Sequence, residues 1–125
     1  MKLLLSLAIF AAPLFTFAGQ QPTCPPSYKT VVVCDYSGEE SNALAPKFID
    51  VCQDVNGNSA KEAVSVIAEN NIVDGVAAKT YDGLLKVQFS TGNESYLLTV
   101  QKDGSAEAEI YSYGKAKPSA QYTCR

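Results

Sequence analysis

Apolar and polar residues alternate along three consecutive segments in the C-terminal half of the chain. The apolar positions are Leu85, Val87 and Phe89 in the first segment, Tyr96, Leu98 and Val100 in the second, and Ala106, Ala108 and Ile110 in the third. Alternation with a period of two is the pattern of a β-strand that buries one face. The sequence therefore predicts an antiparallel meander of three strands, joined by short turns that contain glycine.

The two turns predict the register of this meander. A two-residue turn at Gly92-Asn93, with glycine first as in a type II′ turn, sets the first two apolar segments opposite each other, with Phe89 facing Tyr96. A three-residue loop at Lys102-Asp103-Gly104 keeps the third segment on the same face, whereas a two-residue turn would move it to the other face. We therefore expect the three-residue loop, with its glycine in the left-handed conformation.

Residues 59–69 form the one segment for which the sequence predicts a helix. Their apolar residues recur at helical spacing, at Ala60, Ala63, Val64, Ile67 and Ala68. Ser59 followed by Glu62 has the form of a capping box, in which each residue satisfies a backbone N–H of the first turn. The predicted fold class is α+β: a small disulfide-stapled antiparallel β-meander with one helix packed on it, beside the small side chains of Ala106 and Ala108.

The same segment also fits a strand, because Val64, Val66 and Ile67 are β-branched. If it is a strand, the expected fold is an all-β sandwich, and the sequence leaves this choice open. Further strands are predicted over residues 29–36, 48–55 and 120–124.

The first eighteen residues have the pattern of a secretory signal peptide. Lys2 supplies a positive charge, residues 3–17 form an apolar run, and Thr16 and Ala18 place small residues where a signal peptidase reads them. The run is shorter than the roughly 20 residues of a membrane span. We expect cleavage after Ala18, which leaves residues 19–125 as a single secreted or periplasmic domain without a membrane anchor.

Four cysteines follow the predicted signal peptide: Cys24, Cys34, Cys52 and Cys124. An even number in a short exported chain predicts two disulfides. Of the three possible connectivities, we favour Cys34–Cys52, across the loop between the first two predicted strands, with Cys24–Cys124 joining the chain ends. Because no two cysteines have C-x-x-C spacing and the chain has no histidine, we expect no metal and no cofactor.

Charge and residue types argue against several classes of function. Without Lys2, nine basic and thirteen acidic residues leave a net charge of −4, which disfavours a nucleic-acid partner. The absence of histidine excludes a histidine-activated nucleophile. Glu107 and Glu109 share a predicted strand face and could serve a small hydrolase as paired carboxylates, but acids on an exposed strand are more often simply solvated. The sequence predicts no catalytic residue.

The last strand of the meander carries a candidate contact surface. If its apolar residues point inward, the intervening residues point outward beside Leu97, and these are Glu107, Glu109, Tyr111 and Tyr113. Exposed tyrosines are typical of protein interfaces. We therefore predict a small exported, non-enzymatic binding or inhibitor-like protein whose partner is another exported protein. A carboxylate-based hydrolase and a structural cell-envelope component are the alternatives, and the oligomeric state is left open.

The ending Tyr122-Thr123-Cys124 resembles that of the periplasmic lysozyme inhibitors of the membrane-bound C-type family. The Ser-Gly-rich inhibitory loop of that family has no counterpart in this sequence. The resemblance therefore assigns the chain to no family.

Overall fold

Eight antiparallel strands form a closed barrel in the computed structural model, which describes residues 24–39, 41–55 and 63–125. The strands are β1 (Tyr28–Tyr36), β2 (Phe48–Asp54), β3 (Ala63–Ala68), β4 (Asn71–Lys79), β5 (Leu85–Thr91), β6 (Glu94–Val100), β7 (Ser105–Ser112) and β8 (Lys115–Cys124). Each strand pairs with the next one along the chain, and β8 returns to pair with β1. The predicted meander thus continues around the whole barrel.

The register predicted for the three C-terminal strands is confirmed. Phe89 pairs with Tyr96 between β5 and β6, and Val100 pairs with Ala106 between β6 and β7. Gly104 has a φ of 93°, as the three-residue loop requires. The apolar residues of these strands consequently share one face, which is the inside of the barrel.

The predicted helix is wrong, because Ala63–Ala68 form strand β3. This strand pairs with β2 on one side and β4 on the other, and it places Val64 and Val66 in the interior core. β-branched side chains lose rotamer freedom in a helix but pack well on a pleated sheet, and both edges of the strand are hydrogen-bonded. The capping-box part of the prediction, residues 59–62, lies outside the described residues.

The fold class is therefore all-β rather than α+β, and the described residues contain no helix. The sandwich alternative predicted a strand in this segment but separated the sheet into two layers, whereas the observed sheet closes on itself. The space beside the small side chains of Ala106 and Ala108 is not occupied by a helix, because other interior residues of the barrel fill it. Tyr122 pairs with Ala106, and Leu98 pairs with Ala108.

The interior of the barrel is a packed hydrophobic core. Its largest fully buried side chains are Tyr122, Ile49, Leu98, Ile110, Val51, Val66 and Val87. The rings of Phe89 and Tyr96 stack with their centroids 4.9 Å apart. An eight-stranded barrel is about wide enough for its own side chains to fill, and here they occupy the interior.

The loop between β1 and β2 covers one end of the barrel. The Tyr96 hydroxyl donates a hydrogen bond of 2.6 Å to the carbonyl of Leu44, and the Tyr122 hydroxyl donates one of 2.6 Å to the carbonyl of Pro46. Ala45, between these two acceptors, is buried. Two tyrosines of the barrel wall thus hold the loop in place through its backbone.

All four cysteines are paired as predicted, but the favoured connectivity is wrong. The disulfides join Cys24 to Cys52 and Cys34 to Cys124. Cys34 belongs to the interior core, whereas Cys52 lies on the outer side of β2. Because side chains alternate across a strand, these two cysteines are on opposite sides of the barrel wall and cannot bond. The two disulfides indicate an oxidising environment.

Candidate functional site

The residues predicted to form a contact surface lie on and beside the outer face of β6 and β7. We call them the tyrosine surface: Leu97, Glu107, Glu109, Tyr111 and Tyr113. Leu97 of β6 pairs with Glu109 of β7, and Glu107 and Tyr111 flank Glu109 on the same face. The three β7 residues are exposed and Leu97 is half-buried. The structure therefore places Leu97 and the three β7 residues on one face, while the role of the surface in binding stays a prediction.

Tyr113 differs from the other four residues because it lies in the turn after β7. Its φ is 53° and that of Gly114 is 80°, so both central residues of this hairpin turn are left-handed, as in a type I′ turn. The Asn93 side-chain amide donates a hydrogen bond of 2.8 Å to the Tyr113 hydroxyl, and the Tyr113 N–H donates one of 3.0 Å to the Asn93 carbonyl. Tyr113 is 76% exposed and links two neighbouring turns.

The charged side chains of the tyrosine surface are the carboxylates of Glu107 and Glu109. On the β7 side, the Glu107 carboxylate accepts hydrogen bonds from the Ser119 hydroxyl at 2.8 Å and the Gln121 amide at 3.2 Å. On the β8 side, Lys115 and Lys117 pair with Ser112 and Ile110, which face inward, so these lysines do not share the outer face of β7. The charged groups of the tyrosine surface are therefore acidic.

A polar cleft of about 240 Å³, which sequence reasoning missed, lies between the β1–β2 loop and the turn after β3. Glu69 has a φ of 56°, and its carboxylate accepts a 2.9 Å hydrogen bond from the backbone N–H of Lys47. Across the cleft, the Glu94 carboxylate accepts a 2.8 Å hydrogen bond from the Ser112 hydroxyl. Both carboxylates thus help to fix the loop and the strand ends around the cleft.

A second group that the sequence analysis missed consists of Asp50 and the disulfide Cys24–Cys52. Asp50 is only 6% exposed, and its Oδ1 lies 3.5 Å from the Cys24 sulfur and 3.9 Å from the Cys52 sulfur. Burial raises the pKa of Asp50 above its ordinary value, and the nearby charge of Arg125 opposes that rise. Strand alternation alone places Asp50 and Cys52 on one face, but the position of Cys24 depends on the tertiary fold.

Cys24, Asp50 and Cys52 are close enough together to resemble a metal-binding group. Metal ions bind cysteine as thiolate. Both sulfurs are tied to each other in the disulfide, so the group offers a metal no thiolate in this state. Its chemistry is that of a disulfide with a carboxyl group beside it.

Comparison of the chain with protein-family models, curated proteins and solved structures finds no match. Within the described ranges, no helix is long and apolar enough to cross a membrane.

Proposed function

We propose that this protein is a small exported, non-enzymatic binding or inhibitor-like protein that contacts a partner protein through the tyrosine surface. The observation that carries the proposal is the conformation of Tyr113. This residue is 76% exposed at the tip of a turn, and Tyr111, two residues earlier, is 40% exposed.

The left-handed backbone conformation at Tyr113 lowers the stability of the protein, and a residue better suited to that conformation would avoid this loss. A left-handed conformation is unfavourable by about 1–2 kcal/mol for most residues, and glycine, asparagine and aspartate adopt it most readily. The aromatic ring of Tyr113 is largely exposed, so burial does not compensate for this cost. A bulky residue in this conformation is consistent with selection for a role outside the fold.

The packed interior of the barrel also supports a protein partner. Small molecules are usually bound in concave, mostly apolar pockets, whereas the tyrosine surface is the outside of a strand pair. Side chains of the core, such as Val87, Leu98 and Ala108, fill the inside of the barrel. Tyrosine contributes large contact area at little entropic cost, which suits an interface on a rigid wall.

The composition of the tyrosine surface suggests the chemistry of the partner. Tyr111, Tyr113 and Leu97 would pack against apolar or aromatic side chains. Glu109 would face a basic group, because complementary charges at the rim favour the correct orientation.

The export part of the proposal rests on residues 1–18, which lie outside the described residues, and on the two disulfides. N-terminal sequencing of the exported protein should begin at Gly19 or Gln20. Recovery of a stable membrane-bound form that retains Met1 would contradict it.

The binding proposal is tested with the oxidised mature protein as bait in envelope extract or culture medium of its own host. Replacing Tyr111 and Tyr113 by serine should weaken capture of the partner by more than about fivefold, which corresponds to about 1 kcal/mol, with the melting temperature nearly unchanged. The matched control is Ile72→Ser with Val76→Ser, since both are exposed apolar residues on β4.

Loss of the partner from the tyrosine variant but not from the β4 variant supports the proposal. Equal capture by all three proteins, or the absence of any protein specifically retained by the wild type, contradicts it. A large fall in the melting temperature would show that the two tyrosines serve the core instead.

A further inference from the structure

The two disulfides of this protein lie in different surroundings. Cys34–Cys124 lies in the interior core. Cys24–Cys52 lies outside the barrel wall, where Cys24, on the segment before β1, is partly exposed and Cys52 is fully buried. Of the two residues, Cys24 is therefore the one that an external thiol can approach.

The carboxyl group of Asp50 lies beside this disulfide. Asp50 and Cys52 are two residues apart on β2 and point to the same side, and Asp50 Oδ1 lies 3.9 Å from the Cys52 sulfur and 3.5 Å from the Cys24 sulfur. A disulfide sulfur carries no proton, so only a protonated carboxyl group can donate a hydrogen bond across this contact. The geometry thus places a proton donor next to the leaving sulfur.

We propose that Cys24–Cys52 is a thiol–disulfide exchange site, in which Asp50 gives a proton to Cys52 on reduction and takes it back on oxidation. The inference does not rest on the tyrosine surface. The co-reactant is a thiol or disulfide of a small molecule or of another protein.

On reduction, the thiolate of the co-reactant attacks the Cys24 sulfur and forms a mixed disulfide with it. The Cys24–Cys52 bond breaks, and Cys52 leaves with the electron pair and takes the proton from Asp50, which becomes a carboxylate. A second co-reactant thiol then attacks the mixed disulfide and releases Cys24. The protein has gained two electrons and, on Cys24, the proton of the second thiol, while the proton on Cys52 came from Asp50, and the co-reactant has become a disulfide.

The groups around Asp50 favour a carboxyl group that can exchange a proton. Burial raises the pKa of Asp50, and a general acid is most effective when its pKa lies near the working pH. The cation nearby, Arg125, is bound at 2.6 Å to Asp35 of β1. The neighbouring positions in register are Val33 of β1 and Ile67 of β3, which do not titrate.

The test measures reduction of the oxidised protein by excess dithiothreitol between about pH 4.5 and 8. Free thiols are trapped by alkylation and assigned by peptide mass, and each rate is divided by the concentration of the dithiothreitol thiolate. In the wild type, Cys24–Cys52 should open before Cys34–Cys124. The rate at which Cys24–Cys52 opens, divided by the thiolate concentration, should fall by about tenfold as the pH rises and Asp50 ionises. This factor is smaller than the usual effect of a general acid, because a thiolate is a good leaving group even without a proton.

Asp50→Asn removes the proton donor and should make the rate per thiolate independent of pH. The matched control is Asp54→Asn, which changes an exposed carboxyl group on the same face of β2 and should keep the wild-type profile. If Asp50→Asn acted only by altering the structure around the disulfide, it would change the rate per thiolate by the same factor at every pH.

A wild-type rate per thiolate that does not change with pH would overturn the proposal, and this result needs no variant. Equal profiles for the wild type and Asp50→Asn, or earlier opening of Cys34–Cys124, would also overturn it. The melting temperature of Asp50→Asn at pH 7 checks its folding, and we expect no loss, because burial penalises the ionised form of Asp50.

Discussion

Cys34 and Cys124 lie directly opposite each other where the last strand of the barrel meets the first. Their Cα atoms are 4.0 Å apart and their sulfurs are bonded. The flanking residues Val33 and Arg125 exchange two backbone hydrogen bonds, of 3.1 and 2.9 Å. Cys34 and Cys124 therefore form a non-hydrogen-bonded pair, in which side chains approach most closely. The disulfide fastens the seam that closes the barrel.

Removing this disulfide should cost more stability than removing the other one. The sequence separations are 90 residues for Cys34–Cys124 and 28 for Cys24–Cys52. Since a longer loop constrains the unfolded chain more, alanine at both members of a pair should lower the free energy of unfolding by about 4–5 and about 3–4 kcal/mol, respectively. Urea denaturation measures both values. A larger loss for the pair with the shorter loop would contradict this order.

Tyr113→Asn should stabilise the protein. Asparagine followed by Gly114 is a preferred type I′ pair, and it removes the unfavourable left-handed tyrosine at φ 53°. We expect the free energy of unfolding to rise by about 0.5–1 kcal/mol. Tyr111→Asn is the control and should lower it, because asparagine is disfavoured within a strand. If Tyr113→Asn destabilised the protein, the contact with Asn93 would be worth more than the backbone cost.

Tyr122→Phe should destabilise the protein, because the carbonyl of Pro46 loses its 2.6 Å donor in a buried place. We expect a loss of about 1–2 kcal/mol at pH 7, measured by urea denaturation. Tyr81→Phe, at a fully exposed position, is the matched control and should change little.

The same variant should alter the response of stability to alkali. Burial raises the pKa of Tyr122 above its ordinary value of 10.0. Because the folded state holds this proton more tightly than the unfolded state, the corresponding stability is present below about pH 10 and is lost as the pH rises further. Above this pH, stability should therefore fall less steeply in Tyr122→Phe than in the wild type. Parallel curves would show that Tyr122 does not contribute to alkaline unfolding.

The sequence was sufficient where local rules act. The alternation around Val87 and Leu98 and the glycines at 92 and 104 predicted the register of three strands, because a turn of two or three residues determines which residues face each other. The sequence also predicted correctly that all four cysteines form disulfides, but it did not predict which cysteines bond to each other.

The prediction failed where one pattern fits two structures. In residues 59–69, helical spacing of alanines coexists with β-branched residues, and the part described as Ala63–Ala68 is a strand because β2 and β4 pair with it from both sides. A partner strand is a tertiary feature, and no periodicity within the segment reports it. The exposed tyrosines were found from the register, but the left-handed turn at Tyr113 was not, since tyrosine rarely adopts it.

By itself, the sequence determined an oxidised, disulfide-bonded domain with a C-terminal antiparallel meander of known register. Only the tertiary structure decided that the sheet closes, that Cys34 meets Cys124, and that Asp50 lies beneath Cys24. The physical reason is the distance along the chain over which each kind of interaction acts. Alternation and turn chemistry act over a few residues, whereas closure depends on contacts between strands 90 residues apart along the chain and on how the segment before β1 packs against the barrel wall.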